Sequence, residues 1–114
     1  MAFSDLELEL IDKVVGGLCH EMNRPEFKDE LSIGYRIDKQ DVVIFEKRPA
    51  YKQPTKFTEI PAAKLKYLRT KNEWRLFWMR GDLKWHVYNP KKKSVRLIDL
   101  VAEIKSDPYG CFWG

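Results

Sequence analysis

Apolar residues recur along this chain with two periods. Between Ser4 and Met22 the step is three or four residues, so that Leu8, Ile11, Val14, Val15, Leu18, Cys19 and Met22 fall on one stripe of a helix. Ser4-Asp5-Leu6-Glu7 opens the segment as a capping box: the Ser4 hydroxyl accepts from the Glu7 amide, and the Glu7 carboxylate reaches back to the Ser4 amide. Phe3 and Leu8 have the spacing of a hydrophobic staple. Asn23 and Pro25 stop the helix. Gly16-Gly17 costs it about 1–2 kcal/mol against alanine, which points to close packing on a sheet.

After a polar connection at residues 25–30 the period falls to two. Leu31 to Ile37 and Asp41 to Arg48 read as a hairpin turning near Lys39-Gln40, with Leu31, Ile33, Tyr35, Ile37, Val42 and Ile44 on its core face. Gly34, Arg36, Val43, Phe45 and Lys47 fall on the other face. Residues 49–56 read as a loop, because Pro49 and Pro54 remove ladder donors. From Phe57 to Tyr88 the alternation resumes as an antiparallel meander. Gly81-Asp82 suits a two-residue hairpin loop, which sets Trp78 opposite Trp85 and Leu76 opposite Val87. A reversal at Lys71-Asn72 sets Tyr67 opposite Leu76 and Leu65 opposite Trp78. One face then carries Ala63, Leu65, Tyr67, Trp74, Leu76, Trp78, Trp85 and Val87, with the three tryptophans as cross-strand core pairs. The opposite face carries Lys64, Lys66, Leu68, Arg75, Phe77, Met79, Lys84, His86 and Tyr88.

Asn89 to Ser94 reads as a basic loop. Leu97, Ile98, Val101 and Ile104 give a second amphipathic helix that stops at Asp107-Pro108, and the apolar tail from Tyr109 is expected to dock on the body of the domain. With no βαβ alternation the fold class is α+β. Its expected form has two layers: a five-stranded antiparallel sheet in two hairpin-linked units, with the N- and C-terminal helices on one face. The second sheet face is then open, unless a loop, the tail or another subunit covers it.

At 114 residues the chain has the size of a single domain spanning 1–114, and 44 % hydrophobic with 13 % aromatic content is enough for a packed core without a staple. Cys19 and Cys111 read as reduced cytosolic thiols. No stretch is apolar enough to span a membrane and the acidic start is no signal peptide, so the expected location is cytoplasmic. A net charge of +4 permits an anionic partner without requiring one.

Several segments together are similar to a small bacterial family, domain-of-unknown-function family 3024. They are Gly34-Tyr35-Arg36, Phe45-Glu46-Lys47-Arg48-Pro49, Trp74 with Trp78 and Arg80, the run from Asp82 to Tyr88, and the terminal Cys111-Phe112-Trp113-Gly114. The family pattern more often has Phe where this chain has Trp113. The resemblance covers almost the whole chain; it implies a stand-alone bacterial domain and brings no activity, catalytic residue or cofactor.

The candidate chemistry therefore comes from the second sheet face. Arg36, Lys64, Lys66, Arg75 and Lys84 can neutralise phosphates while Phe77, His86, Tyr88 and Phe45 stack on bases, the combination used by binders of single-stranded nucleic acid. The plain alternative is a solvated face whose Lys and Arg stems cover aromatic rings. The reading is a non-enzymatic nucleic-acid-binding module with the site Arg36, Lys64, Lys66, Arg75, Phe77, Lys84, His86 and Tyr88. The runner-up is a homodimer or protein interface on the same face. A third reading joins Asp82-x-Lys84 to Glu46 or Glu59 as a metal-dependent nuclease. A zinc site or thiol nucleophile built from Cys19, His20, His86 and Cys111 has the wrong spacing, so no metal, cofactor or catalytic residue is assigned.

Overall fold

The computed structural model describes residues 3–23, 32–50 and 53–113. Helix α1 (Asp5–Met22) is followed by strands β1 (Ser32–Asp38), β2 (Asp41–Ala50), β3 (Gln53–Leu68), β4 (Glu73–Met79), β5 (Trp85–Val87) and β6 (Lys93–Ser94), then by helix α2 (Leu97–Ser106). The strands form one antiparallel sheet in the order β1-β2-β3-β4-β5, and β6 also pairs with β4. This is the expected α+β architecture with a helix at each end. The sheet gains its sixth strand from two residues of the basic loop. Among the described residues no helix is long and apolar enough to cross a membrane.

The helix begins as its sequence dictates. Ser4 N donates to Glu7 Oε1 at 2.8 Å and Glu7 N to Ser4 Oγ at 3.2 Å, closing the capping box. The staple takes a different form: Phe3 stacks on Trp74, with centroids 5.8 Å apart, and lies 6.3 Å from Tyr67, so it anchors the helix start to the sheet, while Leu8 stays partly exposed. At the other end Asn23 caps α1, and its side-chain amide meets both backbone groups of Ile33 at 2.9 and 2.6 Å. An amide there does what a neighbouring strand would do, so the helix terminus occupies part of the outer edge of β1. The predicted polar connection and Leu31 lie outside the described residues.

The core is one cluster between the helices and a single sheet face. Ile11, Val15, Val42, Ile44, Leu65, Leu76, Tyr88, Leu100 and Ile104 are among its fully buried residues. Removing each large aliphatic side chain from water stabilises the fold by about 1.5–3 kcal/mol. The tail docks there as expected. Phe112 is buried against Tyr88, with centroids 4.8 Å apart, and Trp113 Nε1 donates to the Ile104 carbonyl at 2.9 Å. Asp107, in the left-handed region at φ 40°, receives the Phe112 and Trp113 amides on its two carboxylate oxygens at 3.1 and 2.9 Å.

Three local expectations are corrected. Residues 49–56 are not a plain loop: β2 runs to Ala50 and β3 starts at Gln53, with Pro49 opposite Phe57. Among the described residues both strands here extend past the pairings of β1 and β4, so the prolines meet no further described neighbour needing a donor. The β3–β4 reversal is a 3₁₀ turn at Arg69–Lys71 with Asn72 left-handed at φ 49°, which sets Leu65 opposite Leu76 and Tyr67 opposite Trp74. That shift is two residues, so every side chain keeps its face.

The β4–β5 loop shifts by one. Both two-residue loops that suit a hairpin need positive φ at their first position, and neither Gly81 nor Asp82 has it; the positive φ, 63°, falls on Leu83. Leu83 N donates to the Arg80 carbonyl at 2.9 Å and Arg80 N to the Lys84 carbonyl at 3.3 Å, giving a three-residue loop. Phe77 is therefore opposite Val87, Trp78 opposite His86 and Met79 opposite Trp85. Trp85 and Val87 leave the core face for the open one, and His86 and Tyr88 go the other way.

Candidate functional site

Cross-strand pairing assembles the open face in rows. Arg36, Val43, Lys64, Phe77 and Val87 are consecutive partners across β1 to β5, and Asp38, Asp41, Lys66, Arg75 and Lys93 across β1 to β4 and β6. Phe45 lies opposite Gly34, and a Cβ on Gly34 would come within 3.0 Å of the Phe45 ring, so the glycine leaves that ring room to lie against the backbone. Each aromatic ring of the face is approached by a cation: Arg36 lies 5.7 Å from Phe45, Lys47 5.2 Å from Phe57, and Lys64 4.9 Å from Phe77 and 5.4 Å from Trp85. Such contacts are worth about 0.5–1 kcal/mol each at exposed sites and hold the cations in place.

Acids share the face. Glu59 accepts from Arg36 at 3.0 Å. Glu73 accepts from Arg75 at 3.0 Å and lies 4.0 Å from Lys93; the Arg75 hydrogen bond, followed by the Lys93 charge, holds its carboxyl below the usual range. Where β5 breaks into the turn at Asn89–Lys91, a hollow of about 370 Å³ opens between Phe77 and Val87, with Arg75, Asn89, Lys92 and Lys93 around it.

Of the residues expected at this site, the structure brings together Arg36, Lys64, Lys66, Arg75 and Phe77. It separates the other three, because the one-residue loop shift moved them. Tyr88 is fully buried and its hydroxyl donates to Glu103 Oε2 at 2.7 Å; burial, then that bond, pushes its pKa up. His86 Nε2 lies 2.9 Å from Asp82 Oδ2, and the Lys84 amide donates to Asp82 Oδ1 at 3.0 Å, so both residues brace the loop. The His86 contact, followed by the Lys84 amide, lowers the Asp82 pKa. Trp85, Val87, Lys92 and Lys93 belong to the face, and the expected site lacks them. For the tryptophan and valine no residue signal exists, since Leu83 is not a residue type that announces a left-handed position. Lys93 is placed by the pairing of β6 with β4, and Lys92 by its carbonyl, which accepts from the Leu76 amide at 2.9 Å; a short polar run does not advertise either.

The remaining candidate chemistry is dispersed. Glu46 is buried on the core side with Arg48 at 2.8 Å, and Glu59 is held by Arg36. Cys19 is a core residue whose thiol is pushed up to about 11 by burial, and burial also raises Cys111. Among the described residues no group of three or more His, Cys, Asp or Glu side chains is placed to hold a metal ion.

No curated protein and no solved structure matches this chain. A family model does, over residues 3–114, and by that match the chain belongs to the domain of unknown function family DUF3024.

Proposed function

We propose that the open sheet face binds single-stranded nucleic acid without catalysing a reaction. The observation that carries this reading is the placement of Lys64 between Phe77 and Trp85, beside a hollow bordered by Arg75, Lys92 and Lys93. Phosphates supply affinity to such a surface through counterion release, and unpaired bases present π-faces to its rings. Stacking on the rings of a sheet face requires bases that are not already paired and stacked, so the reading is for single strands.

Fluorescence anisotropy with short single-stranded DNA and RNA, over a range of salt, tests it. Affinity should fall steeply with salt, and Lys64→Glu should lower the slope by about one released counterion. Trp85→Ala should weaken binding by about 1–3 kcal/mol, the worth of one stacked base. Lys84→Glu, off the face, should have a smaller effect than Lys64→Glu. Absence of binding at low salt, or binding indifferent to Lys64→Glu and Trp85→Ala, would refute the reading.

The second reading is a protein or self-association surface on the same face, favoured by Phe57 and Val87 remaining nearly half exposed. Oligomers abolished by Phe77→Asp would support it.

A further inference from the structure

On the opposite side of the molecule, the flank of α1 that turns from the sheet toward α2 carries apolar residues which the core does not use. Leu6 is 78 % exposed and Leu10 44 %, and beyond α1 Val95 is 69 % and Ile98 50 % exposed. Scattered exposed leucines need no explanation, but these border two hollows along the outer side of α1. The first, about 270 Å³, is bordered by Leu6, Leu10 and Val95. The second, about 330 Å³, has Val14, Gly17, Leu18, Ile98 and Val101 in its walls. The start of α1 thus shares the first hollow with Val95, on the segment leading into α2. Their ends are joined by the ion pair of Lys105 with Glu21, so the helices run side by side in one direction.

Gly17 is the notable position. A Cβ there meets nothing within 4 Å, although glycine in a helix interior destabilises it relative to alanine. Gly16 differs, since a Cβ there would lie 3.3 Å from the Asp12 carboxylate and 3.7 Å from Tyr35.

We infer that this side of α1 is the interface of a homodimer, in which Leu6 of each copy fills the hollow over Gly17 of the other. Leu6 and Gly17 are eleven positions apart, about 16 Å along the helix. A single twofold axis beside the middle of α1, with the two copies of that helix antiparallel, satisfies both insertions at once, as an isologous contact must. The same operation sets Lys13 of each copy alongside Leu10 and Glu9 of the other, so its stem covers an apolar side chain and its charge meets an acid. The surface therefore complements itself in shape and in sign, which singles out a second copy as its occupant. The resulting helical layer leaves both open sheet faces pointing outward.

Sedimentation equilibrium of the full chain tests this. A reversible dimer is expected, with Leu6→Glu and Gly17→Leu each raising the dissociation constant at least about tenfold, a loss of about 1.4 kcal/mol. Both positions have room, so circular dichroism should show the fold unchanged. Phe77→Asp should leave the dimer intact. Independently, a Leu6→Cys, Gly17→Cys double variant should oxidise to a covalent dimer, whereas within one chain these positions are too far apart to bridge. A chain that stays monomeric at every attainable concentration would overturn the inference. So would a dimer broken by Phe77→Asp and untouched at Leu6 and Gly17, or a double variant that never cross-links.

Discussion

The position of Leu83 decides which side chains the open face presents, and it can be tested by sign. At φ 63° a leucine costs about 1–2 kcal/mol relative to a residue at ease in the left-handed region. Asparagine relieves most of that cost through local hydrogen bonding. Leu83 is 77 % exposed, so the substitution forfeits only about a quarter of a leucine's burial, about 0.4–0.7 kcal/mol. The balance favours Leu83→Asn by about 0.5–1 kcal/mol, about 2–4 °C in Tm for a domain of this size. Leu83→Val goes the other way, since a branched Cβ is worse still at positive φ. If the loop were Gly81-Asp82 alone, Leu83 would sit in an extended strand, where valine is preferred and asparagine disfavoured. Thermal and urea melts of the two variants therefore separate the registers. Valine more stable than asparagine would refute the three-residue loop, and with it the assignment of Trp85 and Val87 to the open face.

Two further outcomes follow from buried or braced groups. Tyr88→Phe removes the donor to Glu103 and should cost about 1.5–3 kcal/mol in urea unfolding while leaving oligonucleotide affinity unchanged; a change in affinity without one in stability would contradict its placement in the core. Glu7 is held below its ordinary value of 4.5, first by Arg69, which donates two 2.8 Å hydrogen bonds, and then by the Ser4 amide. A carboxylate depressed on folding stabilises the fold above that ordinary value, and the contribution is lost as pH falls through the folded one. Glu7→Gln keeps the capping geometry and loses the charge, so it should cost about 0.5–1 kcal/mol near neutral pH, with wild type and variant converging in acid. A gap that persists in acid would refute this origin.

The fold was legible because its signals were periodic and redundant. The capping box, the α1 stripe and the Asp107-Pro108 stop each specify an end or a face by residue type. Face assignment survived an error at Lys71-Asn72 because a slip of two residues preserves alternation. At Gly81-Asp82 the same reasoning failed. A glycine followed by aspartate satisfies the composition of a two-residue loop, yet the chain puts its left-handed residue at Leu83 and ties the loop through Asp82 to the Lys84 amide and His86. Nothing in the pattern objects, because Trp85-His86-Val87-Tyr88 offers an apolar side chain to the core in either register. Tyr88 goes inside because its hydroxyl reaches Glu103 on α2, a tertiary fact that alternation does not contain.

The two sides of the sheet solve the burial problem differently. Toward the helices the side chains are predominantly apolar, and α1, α2, Phe3 and the Phe112–Trp113 tail all converge on them. On the other side Phe45, Phe57, Phe77 and Trp85 present ring surface that must also be shielded, and Arg36, Lys47 and Lys64 are drawn over them. A cation stem shields a ring from water without adding a layer, so the face can remain open at little cost in exposed apolar area. It also means that rings and charges are not independent ligands. A base arriving at Trp85 must share the ring with Lys64 or move the ammonium aside, and a phosphate arriving at Arg75 must compete with Glu73. The binding proposed for this face would thus exchange internal contacts for external ones, which would limit its affinity and make it sensitive to salt from both directions.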